Sequence, residues 1–388
     1  MDARPRLLFL ITEDWYFWSH RLDLARAARD AGFDVMIATR VTGHGEQIRK
    51  EGFRLLPITL LRRNRNPARE LRAIMQLVQL YRRERPYIVH HVAIKPILYG
   101  SFAAWIARIP VVINAFAGLG YAFTGRSDRS ACLQFGVRLG LKNALCLNHS
   151  LALFQNSEDR DRLVQEGIVV SSRSRIIPGS GVDVERFRPL EETEGVPVVM
   201  LASRMLWDKG VGEFVEAARR LKRRAVQARF VLVGRCDADN PAAIERHQLQ
   251  QWVHEGVIEW WEHRDDMPVV LASATVVTLP SYREGLPKVL LEAAACGKPI
   301  VAADVPGCRE VVRHHVNGLL VPPKNPAALA EAIGFLLDHP AQRAAMGVAT
   351  REIAVQEYSV PKVAGQMLGL YRELLGQNWE GRSSHRNA

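Results

Sequence analysis

Residues 280–299, PSYREGLPKVLLEAAACGKP, decide the fold of this chain. The β-type residues VVTL at 276–279 come directly before this segment, and a polar turn separates them from an apolar helix pattern. Pro287 suits a first helical position, Gly297 marks the helix stop, and Pro299 prevents continuation. The segment therefore predicts a strand, a loop and a short helix in succession.

The loop of this unit carries candidate ligand-binding groups. The backbone N–H groups of Gly285 and Leu286, together with the positive end of the helix dipole, would form a seat for an anion such as a phosphate. Two carboxylates flank the seat, with Glu284 in the loop and Glu292 inside the helix, so they could reach different parts of one elongated ligand. Taken alone, either carboxylate is explained more simply as a solvated loop charge or as part of a packing face.

A family resemblance rests on these residues together. Glu284, seven intervening residues and Glu292, set in REGLPKVLLEAAACGKP, resemble the signature of the retaining glycosyltransferases of family 4, which have the GT-B fold. The resemblance covers nearly the whole chain and is more specific in its second half. Its other elements are Arg204 and Lys209 in ASRMLWDKG, the segment GVDVERF at 181–187, and Asn317-Gly318 before LLVPP.

The resemblance implies roles for these residues at a nucleotide-sugar site. Arg204 and Lys209 would bind the donor diphosphate, whose developing charge needs fixed cations or dipoles. Glu284 would bind hydroxyls of the donor sugar, and Glu292 would bind the ribose hydroxyls. The backbone N–H groups offered to the phosphates would be those of Gly285 and Leu286.

Alternating strand-like and helix-like runs in both halves predict doubly wound parallel sheets. The chain has 388 residues, and single cores rarely grow past about 250–300 residues. The fold class is therefore α/β, and the resemblance implies GT-B, with two Rossmann-like domains facing a central cleft. The expected bounds are 1–188 for the acceptor-binding domain, 189–196 for a linker, 197–360 for the nucleotide-sugar domain, 361–376 for a helix crossing back, and 377–388 for a disordered tail.

Charge is divided unevenly along the chain. Residues 1–190 hold 29 Lys and Arg against 17 Asp and Glu, so the whole positive excess of the protein lies in this half. This asymmetry suggests an anionic partner, although a merely soluble basic surface would give the same count. No zinc finger, RRM signature or aromatic-basic pattern accompanies it, so nucleic acid is not expected. We expect docking on an anionic membrane through Arg62, Arg63 and Arg65, continued by Arg69 and Arg72.

The sequence shows no recognisable targeting signal, and this and the cysteine pattern favour the cytoplasm. No segment reaches the roughly 20 apolar residues of a membrane-spanning helix. The apolar run LLFLI is followed by Glu13 and Asp14 rather than a cleavage site, which does not fit a signal peptide. The five cysteines are scattered and include no CxxC pair, as is typical of a reducing compartment. The expected location is the inner face of the cell membrane, with peripheral attachment.

The first half should contribute the acceptor side. His90 and His91 are adjacent in the predicted strand YIVHHVA and must point to opposite faces. The resemblance implies a histidine near the reacting sugar at this strand end, and His91 is our choice over His90. The loop TEDWYFWSH lacks the paired glycines common in the family. Its aromatic residues could stack on an acceptor, plug the space between domains or belong to the core; the candidate acceptor residues are Trp15, Trp18 and His20.

Two motifs point elsewhere and are set aside. Asp237 and Asp239 have the DxD spacing of metal-dependent glycosyltransferases, but Asn240 and Pro241 favour a helix start at this point instead. Gly118-Leu119-Gly120 lacks the third glycine of the dinucleotide fingerprint. We therefore expect no metal and no other cofactor.

The sequence thus predicts a retaining, metal-independent hexosyltransferase. The expected donor is a nucleoside-diphosphate sugar, with an N-acetylhexosamine or related hexose and a UDP carrier as the best choices. The expected acceptor is a polyprenyl-diphosphate-linked saccharide of surface polysaccharide biosynthesis, such as lipopolysaccharide O-antigen. The alternatives are a sugar-nucleotide epimerase of the same fold or a noncatalytic subunit that docks an acceptor. The sequence does not fix the oligomeric state.

Overall fold

The computed structural model describes residues 4–61, 66–119, 128–147, 150–190, 195–237 and 240–384, without the side chains of 128–133 and 377–384. The chain folds into two compact units. Unit 1 contains Met1–Ser180 and Val363–Ala388, and unit 2 contains Gly181–Lys362.

Unit 1 is built on a seven-stranded parallel sheet of order β3-β2-β1-β4-β5-β6-β7. Its strands are β1 Arg6–Glu13, β2 Asp34–Arg40, β3 Arg54–Pro57, β4 Ile88–Val92, β5 Val111–Ala115, β6 Leu151–Phe154 and β7 Ser174–Ile176. Its helices are α1 Asp14–His20, α2 Leu22–Asp30, α3 Gly45–Lys50, α4 Pro67–Glu84, α5 Ile94–Ala107, α6 Asp128–Leu147 and α7 Ser157–Gln165.

Both faces of this sheet are covered, as strand β1 illustrates. Leu7 and Phe9 belong to a core shared with α2 and the C-terminal helix, whereas Leu8 and Leu10 belong to a core shared with α4 and α5. Alternate side chains of a strand point to opposite faces. The continuous apolar run of β1 is therefore what a parallel strand buried on both faces requires.

Unit 2 repeats the architecture with six parallel strands of order β10-β9-β8-β11-β12-β13. The strands are β8 Val198–Ala202, β9 Arg229–Val233, β10 Glu259–Trp260, β11 Val276–Leu279, β12 Ile300–Ala303 and β13 Gly318–Val321. The helices are α8 Val211–Arg223, α9 Arg246–His254, α10 Met267–Ala272, α11 Lys288–Ala295, α12 Pro306–Val311, α13 Pro326–Asp338 and α14 Pro340–Tyr358. The last helix, α15 Val360–Ser384, begins in unit 2 and continues into unit 1.

The bounds of the units differ from the expected ones. The chain leaves unit 1 after Ser180, earlier than the linker expected at 189–196, because Val182 and Phe187 are buried in the core of unit 2. The C-terminal helix continues to Ser384, although we expected a disordered tail from residue 377.

Two local predictions were wrong. The expected loop after β1 is helix α1, which buries Phe17 in the core of unit 1. Asn240 and Pro241 do not start a helix, since α9 begins at Arg246. The Asn240 side chain instead accepts a hydrogen bond from the backbone N–H of Ala242 at 3.1 Å and stabilises a turn.

Candidate active site

The predicted donor residues of unit 2 gather where the strand order reverses. Strands β8 and β11 are hydrogen-bonded neighbours, although the chain places β9 and β10 between them. Arg204 and Lys209 follow β8, and Glu284 follows β11. Ligands of open α/β sheets bind outside the carboxyl ends of the strands at such a switch point.

Lys209 and Glu284 form an ion pair across the two loops. The Nζ atom of Lys209 lies 2.5 Å from Oε1 of Glu284, and the side chains are 23% and 11% exposed. Gly210 permits this approach, because it has φ of 72° and a Cβ there would lie 2.2 Å from the carbonyl oxygen of Pro280. The structure thus brings together two of the predicted site residues.

Arg204 is held by a carboxylate that the sequence did not assign to it. Its Nη1 donates to Oδ2 of Asp237 at 2.6 Å. The ends of β8 and β9 meet closely at Gly234, where a Cβ would lie 1.7 Å from the carbonyl oxygen of Ser203. Asp237 was considered only as half of a DxD motif; the other half, Asp239, lies outside the described residues.

The loop that carries Glu284 rests against helix α12. A Cβ on Gly307, in the first turn of α12, would lie 2.5 Å from the carbonyl oxygen of Gly285. Cys308 is buried next to it, and burial followed by the nearby charge of Glu284 raises the pKa of its thiol well above the ordinary value. Glycine at position 307 therefore allows the loop that carries Glu284 to pack directly against α12.

Helix α11 begins one residue later than predicted and ends before Gly297 as predicted. It spans Lys288–Ala295, Pro287 is its N-cap and no side chain caps its N-terminus. Gly297 follows with φ of 67°, the left-handed conformation of a helix stop. The N-terminus of α11 has no side-chain cap, and its role as an anion site stays a prediction.

Glu292 lies on α11 in a largely buried position. Its Oε1 is 3.3 Å from Nζ of Lys288. Burial raises the pKa of the Glu292 carboxyl, and the charges of Lys288 and Arg186 offset part of this rise. A buried carboxylate of this kind can accept hydrogen bonds from ligand hydroxyls once it is ionised.

In unit 1 the choice of His91 is contradicted by its contacts. His91 is fully buried, and its Nε2 lies 3.0 Å from the Tyr81 hydroxyl while its Nδ1 lies 2.8 Å from Oδ1 of Asn114. Burial lowers its pKa to about 4, against an opposing contribution from Asn114. Both ring nitrogens are occupied, so His91 is a core residue and has none to offer a sugar.

The aromatic run after β1 contributes chiefly to the core of unit 1. Phe17 is fully buried, and Tyr16 and Trp18 pack against the same cluster while remaining partly exposed. The ring of His20 stacks on Tyr16 at 4.2 Å. Of the three interpretations, plain core accounts best for Phe17, and the partly exposed candidates Trp15, Trp18 and His20 keep a predicted acceptor role. The predicted membrane residues Arg62, Arg63 and Arg65 lie outside the described residues.

Tyr282 was not predicted from the sequence, and its hydrogen bonds fix the loop that carries Glu284. Its hydroxyl donates to Glu213 at 2.7 Å, and its backbone N–H donates to the carbonyl of Asp208 at 3.0 Å. Its one sequence signal is its place between the end of β11 and Glu284. Elsewhere in unit 2, a surface depression of about 360 Å³ is lined by Trp261, Arg264 and Val269 and includes none of the predicted site residues.

Chemically, the site offers two cations after β8, two carboxylates after β11 and an open helix N-terminus. The cations and the helix N-terminus can bind a diphosphate in competition with the carboxylates that pair with the cations. The carboxylates can accept hydrogen bonds from hydroxyls of an attached sugar. Among the described residues, no group of three or more His, Cys, Asp or Glu has the arrangement of a metal site.

Two family models match the chain, one on each unit. Residues 6–149 match "Glycosyl transferase 4-like", and residues 196–339 match "Glycosyl transferases group 1". Together they cover well over half of the chain.

Two similar proteins have names that describe sugar transfer to an undecaprenyl-diphosphate-linked sugar. The N,N'-diacetylbacillosaminyl-diphospho-undecaprenol alpha-1,3-N-acetylgalactosaminyltransferase of Campylobacter jejuni is 26% identical, over 95% of this chain and 99% of its own length. The UDP-Gal:alpha-D-GlcNAc-diphosphoundecaprenol alpha-1,3-galactosyltransferase of Escherichia coli is 24% identical, over 74% of this chain and 76% of its own.

Solved structures share the fold. Anabaena HepE, in complex with UDP and glucose, has a TM-score of 0.78 at 20% identity, covering 95% of this chain and 100% of its own. The sucrose-phosphate synthase of Thermosynechococcus elongatus has a TM-score of 0.78 at 21% identity, covering 96% of this chain and 100% of its own.

Proposed function

Because the chain belongs to the family 4 glycosyltransferases with the GT-B fold, we propose that it transfers a sugar from a UDP-sugar to a polyprenyl-diphosphate-linked saccharide. We propose that transfer retains the anomeric configuration and serves surface polysaccharide biosynthesis. The best choice of transferred sugar is an N-acetylhexosamine or a related hexose. Similarity to the Campylobacter enzyme along both full chains is the observation that carries this proposal.

The donor half of the proposal draws on the switch point of unit 2. Lys209 and Arg204 follow β8 and would neutralise the diphosphate as it leaves. The open N-terminus of α11 would add backbone N–H groups. These fixed positive groups would take the place of a metal, so we propose that catalysis needs neither metal nor another cofactor.

Retention would follow from attack on the face of the sugar that the diphosphate leaves. In this proposal the departing diphosphate, held by Lys209 and Arg204, takes the proton of the acceptor hydroxyl. Glu284 would hold sugar hydroxyls while its partner Lys209 contacts the phosphate. Glu292 would fix the ribose.

The acceptor half draws on helices α4, α5 and α6 of unit 1, which pack side by side. Large apolar side chains are exposed on each of them, and the rings of Phe102 and Trp105 lie 5.9 Å apart. Exposed Arg69 and Arg72 lie on α4. We call the following set the α4–α6 face: Leu71, Met75, Phe102, Trp105, Phe135 and Leu139.

Apolar side chains together with basic ones suit the surface of an anionic bilayer. None of the described helices is both long enough and apolar enough to cross a bilayer. We therefore propose peripheral attachment at the cytoplasmic side of the membrane, where a polyprenyl-linked acceptor is within reach. The four cysteines with described side chains are free thiols, as this location would require.

The test is a transfer assay with a panel of UDP, GDP, dTDP and ADP sugars and a short polyprenyl-diphosphate saccharide, run in EDTA. We expect an α-linked product from one UDP-sugar, with the linkage read by NMR. Lys209→Ala and Arg204→Ala should each lower kcat by about 10²–10³, as for a lost oxyanion donor.

Each other outcome contradicts part of the proposal. Conversion of the donor without acceptor would indicate an epimerase, and acceptor binding without transfer from any donor would indicate a docking subunit. Activity that is lost in EDTA and restored by Mn²⁺ would refute the metal-independent mechanism. Full activity of both alanine variants would refute the assigned donor site.

A further inference from the structure

Arg21 is a buried cation without an acidic partner among the described residues. It is 4% exposed and lies between α1 and α2 of unit 1. Its Nη1 donates to the carbonyl oxygens of Gly179 at 2.9 Å and His20 at 3.2 Å. A buried charge is costly unless an opposite charge compensates it. The surroundings of Arg21 therefore call for an anion.

The contacts of Arg21 leave one edge of its guanidinium unused. Nη1 carries both carbonyl contacts, whereas Nε is buried and finds no acceptor in the described part of the chain. Nη2 likewise has no hydrogen bond to a described residue. The N–H bonds of Nε and Nη2 run parallel, and this edge binds two oxygens of one oxyanion.

His90 places a second unsatisfied nitrogen close to Arg21. It is fully buried on β4, and its Nδ1 lies 2.6 Å from the Tyr371 hydroxyl. Its Nε2 is buried without a partner in the described residues. Burial and then the charge of Arg21 lower the pKa of His90, which favours the neutral ring. When Tyr371 donates to Nδ1, Nε2 carries the proton and can donate to an anion.

The location is that of a ligand site. Arg21 follows β1 through the short α1, and His90 lies on β4, so the pair flanks the switch point of the unit 1 sheet. Arg21 is also the N-cap residue of α2, whose N-terminus no side chain caps. The first-turn N–H groups and the dipole of α2 therefore add to the positive potential. The carboxylate of Asp23 in the same turn opposes them, and it is paired with Arg26 at 3.3 Å.

We propose that Arg21, His90 and the N-terminus of α2 form a site in unit 1 for a phosphate-type oxyanion, which shares no residue with the proposed donor site of unit 2. A tetrahedral phosphate can meet the guanidinium edge and an imidazole N–H with different oxygens, which a planar carboxylate does less well. Its source would be a diphosphate ester of the acceptor or free phosphate. The first assignment rests on the proposed function, whereas the oxyanion site does not.

The test titrates inorganic pyrophosphate into the full-length Arg204→Ala/Lys209→Ala protein, in which the donor site is disabled. We expect one calorimetric binding event that weakens by about tenfold or more when Arg21→Lys is added, because lysine lacks the guanidinium fork. Arg351→Lys is the matched control. Arg351 also donates from Nη1 to two carbonyl oxygens, those of Phe187 and Ala295, in unit 2.

Unchanged pyrophosphate affinity in the Arg21→Lys protein would overturn the proposal, as would an equal loss in the Arg351→Lys control. A second measurement does not depend on the folding of an Arg21 variant. Crystals of the Arg204→Ala/Lys209→Ala protein soaked in pyrophosphate should show density within hydrogen-bond distance of Nε of Arg21. An unfilled site at saturating pyrophosphate would also refute it.

Two further titrations distinguish the sources. Farnesyl diphosphate binding more tightly than inorganic phosphate would support the ester of the acceptor, and equal affinities would support free phosphate. Pyrophosphate binding that depends on Arg21, together with no sugar transfer by the wild-type protein, would leave the Arg21 site intact while the proposed function fails.

Discussion

At the scale of single residues, both donor cations of unit 2 have carboxylate partners in the structure. Lys209 contacts Glu284 at 2.5 Å, and Arg204 contacts Asp237 at 2.6 Å. Pairing holds each cation in place after β8. A diphosphate that binds there must share the cation with the carboxylate or displace the carboxylate. If these residues bind the donor as proposed, donor affinity is a balance between two anions and not a simple sum of contacts.

The raised pKa of Glu292 predicts opposite effects of one substitution on stability and donor binding. Its pKa in the folded protein lies above the ordinary 4.5 because of burial. Ionisation therefore destabilises the folded state as pH rises from 4.5 through the raised value, and this penalty is absent at lower pH. Glu292→Gln should raise Tm at neutral pH and raise the KM for donor by about tenfold or more, since charge-assisted hydrogen bonds are lost.

Melting curves between pH 4 and 8, together with donor kinetics, check this prediction. Glu331→Gln is the control, because Glu331 is exposed in the same unit and the substitution should leave KM unchanged. A Glu292→Gln protein with wild-type KM would show that this carboxylate does not touch the donor.

Asp14 should be a stabilising carboxylate of unit 1. It is fully buried, and although burial alone would raise its pKa, hydrogen bonds lower the pKa to about 2. The donors are the Thr42 hydroxyl and the backbone N–H groups of Trp15, Thr42, Gly43 and His44. Asp14→Asn should lower the free energy of unfolding by about 2 kcal/mol at neutral pH.

The pH dependence has a definite sign. The folded pKa of Asp14, about 2, is below the ordinary 3.8. Its stabilisation is therefore complete above pH 4 and is lost as pH falls towards 2. Denaturant titrations at several pH values should show this loss in the wild type and not in Asp14→Asn. Asp23→Asn serves as control, because the Asp23 side chain is 46% exposed, and a similar effect there would contradict the assignment.

At the scale of elements, glycines set how closely the loops of unit 2 approach. Gly210 combines a left-handed backbone with a contact to Pro280, and Gly256 has φ of 69° with open space around it. The two positions share the backbone conformation and differ in the close contact. The pair therefore separates conformational strain from loop approach.

Gly210→Ala should disable the donor site, because Lys209 and Glu284 would be pushed apart. We expect kcat/KM to fall by about a hundredfold or more, as for misplacement of a catalytic group by about 1 Å. Gly256→Ala should cost about 1–2 kcal/mol of stability, the penalty of a left-handed residue, with kcat/KM unchanged. Steady-state kinetics and thermal melts measure both. Similar kinetics for the two variants would show that the approach of the loops does not position the site.

The elements that the sequence predicted well have local signals. Helix α11 has a proline before it and a glycine after it, so its ends follow from backbone chemistry. Helix α1 was predicted as a loop, because its seven residues are too few to show a helical period of apolar residues. Burial of Phe17 and the contacts of Asp14 with residues 42–44, which determine that helix, are tertiary.

The difference between local signals and tertiary contacts also explains which site residues could be predicted from the sequence. Alternation along β4 predicts that His90 and His91 face opposite sides, but not which helices cover each side. The structure fills one side with Tyr81 and the other with Tyr371. The pairing of Arg204 with Asp237 was hidden likewise, because it joins the ends of two strands that are neighbours only in the folded sheet.

At the scale of the whole molecule, charge and exposed apolar surface coincide on unit 1. The positive excess lies in residues 1–190. The α4–α6 face belongs to the same unit, and its Phe135 and Leu71 are 69% and 61% exposed. A folded surface rarely exposes a large contiguous apolar patch unless the patch serves an interaction.

The α4–α6 face should enter an anionic bilayer while arginines that precede α4 in the sequence bind the lipid headgroups. Replacing Arg62, Arg63 and Arg65 by Gln should weaken vesicle binding by about 3 kcal/mol, or about a hundredfold, at about 1 kcal/mol for each charge.

The double variant Phe102→Ser/Trp105→Ser should weaken binding at every salt concentration, because salt does not screen the insertion of apolar groups. Val348→Ser, exposed in unit 2, is the matched control and should bind as the wild type does. Sedimentation with vesicles containing acidic lipid measures all three, and activity on a short water-soluble acceptor should stay close to wild type. Wild-type binding that is absent at low salt, or that is insensitive to both the arginines and the aromatic pair, would refute membrane docking and favour a soluble acceptor.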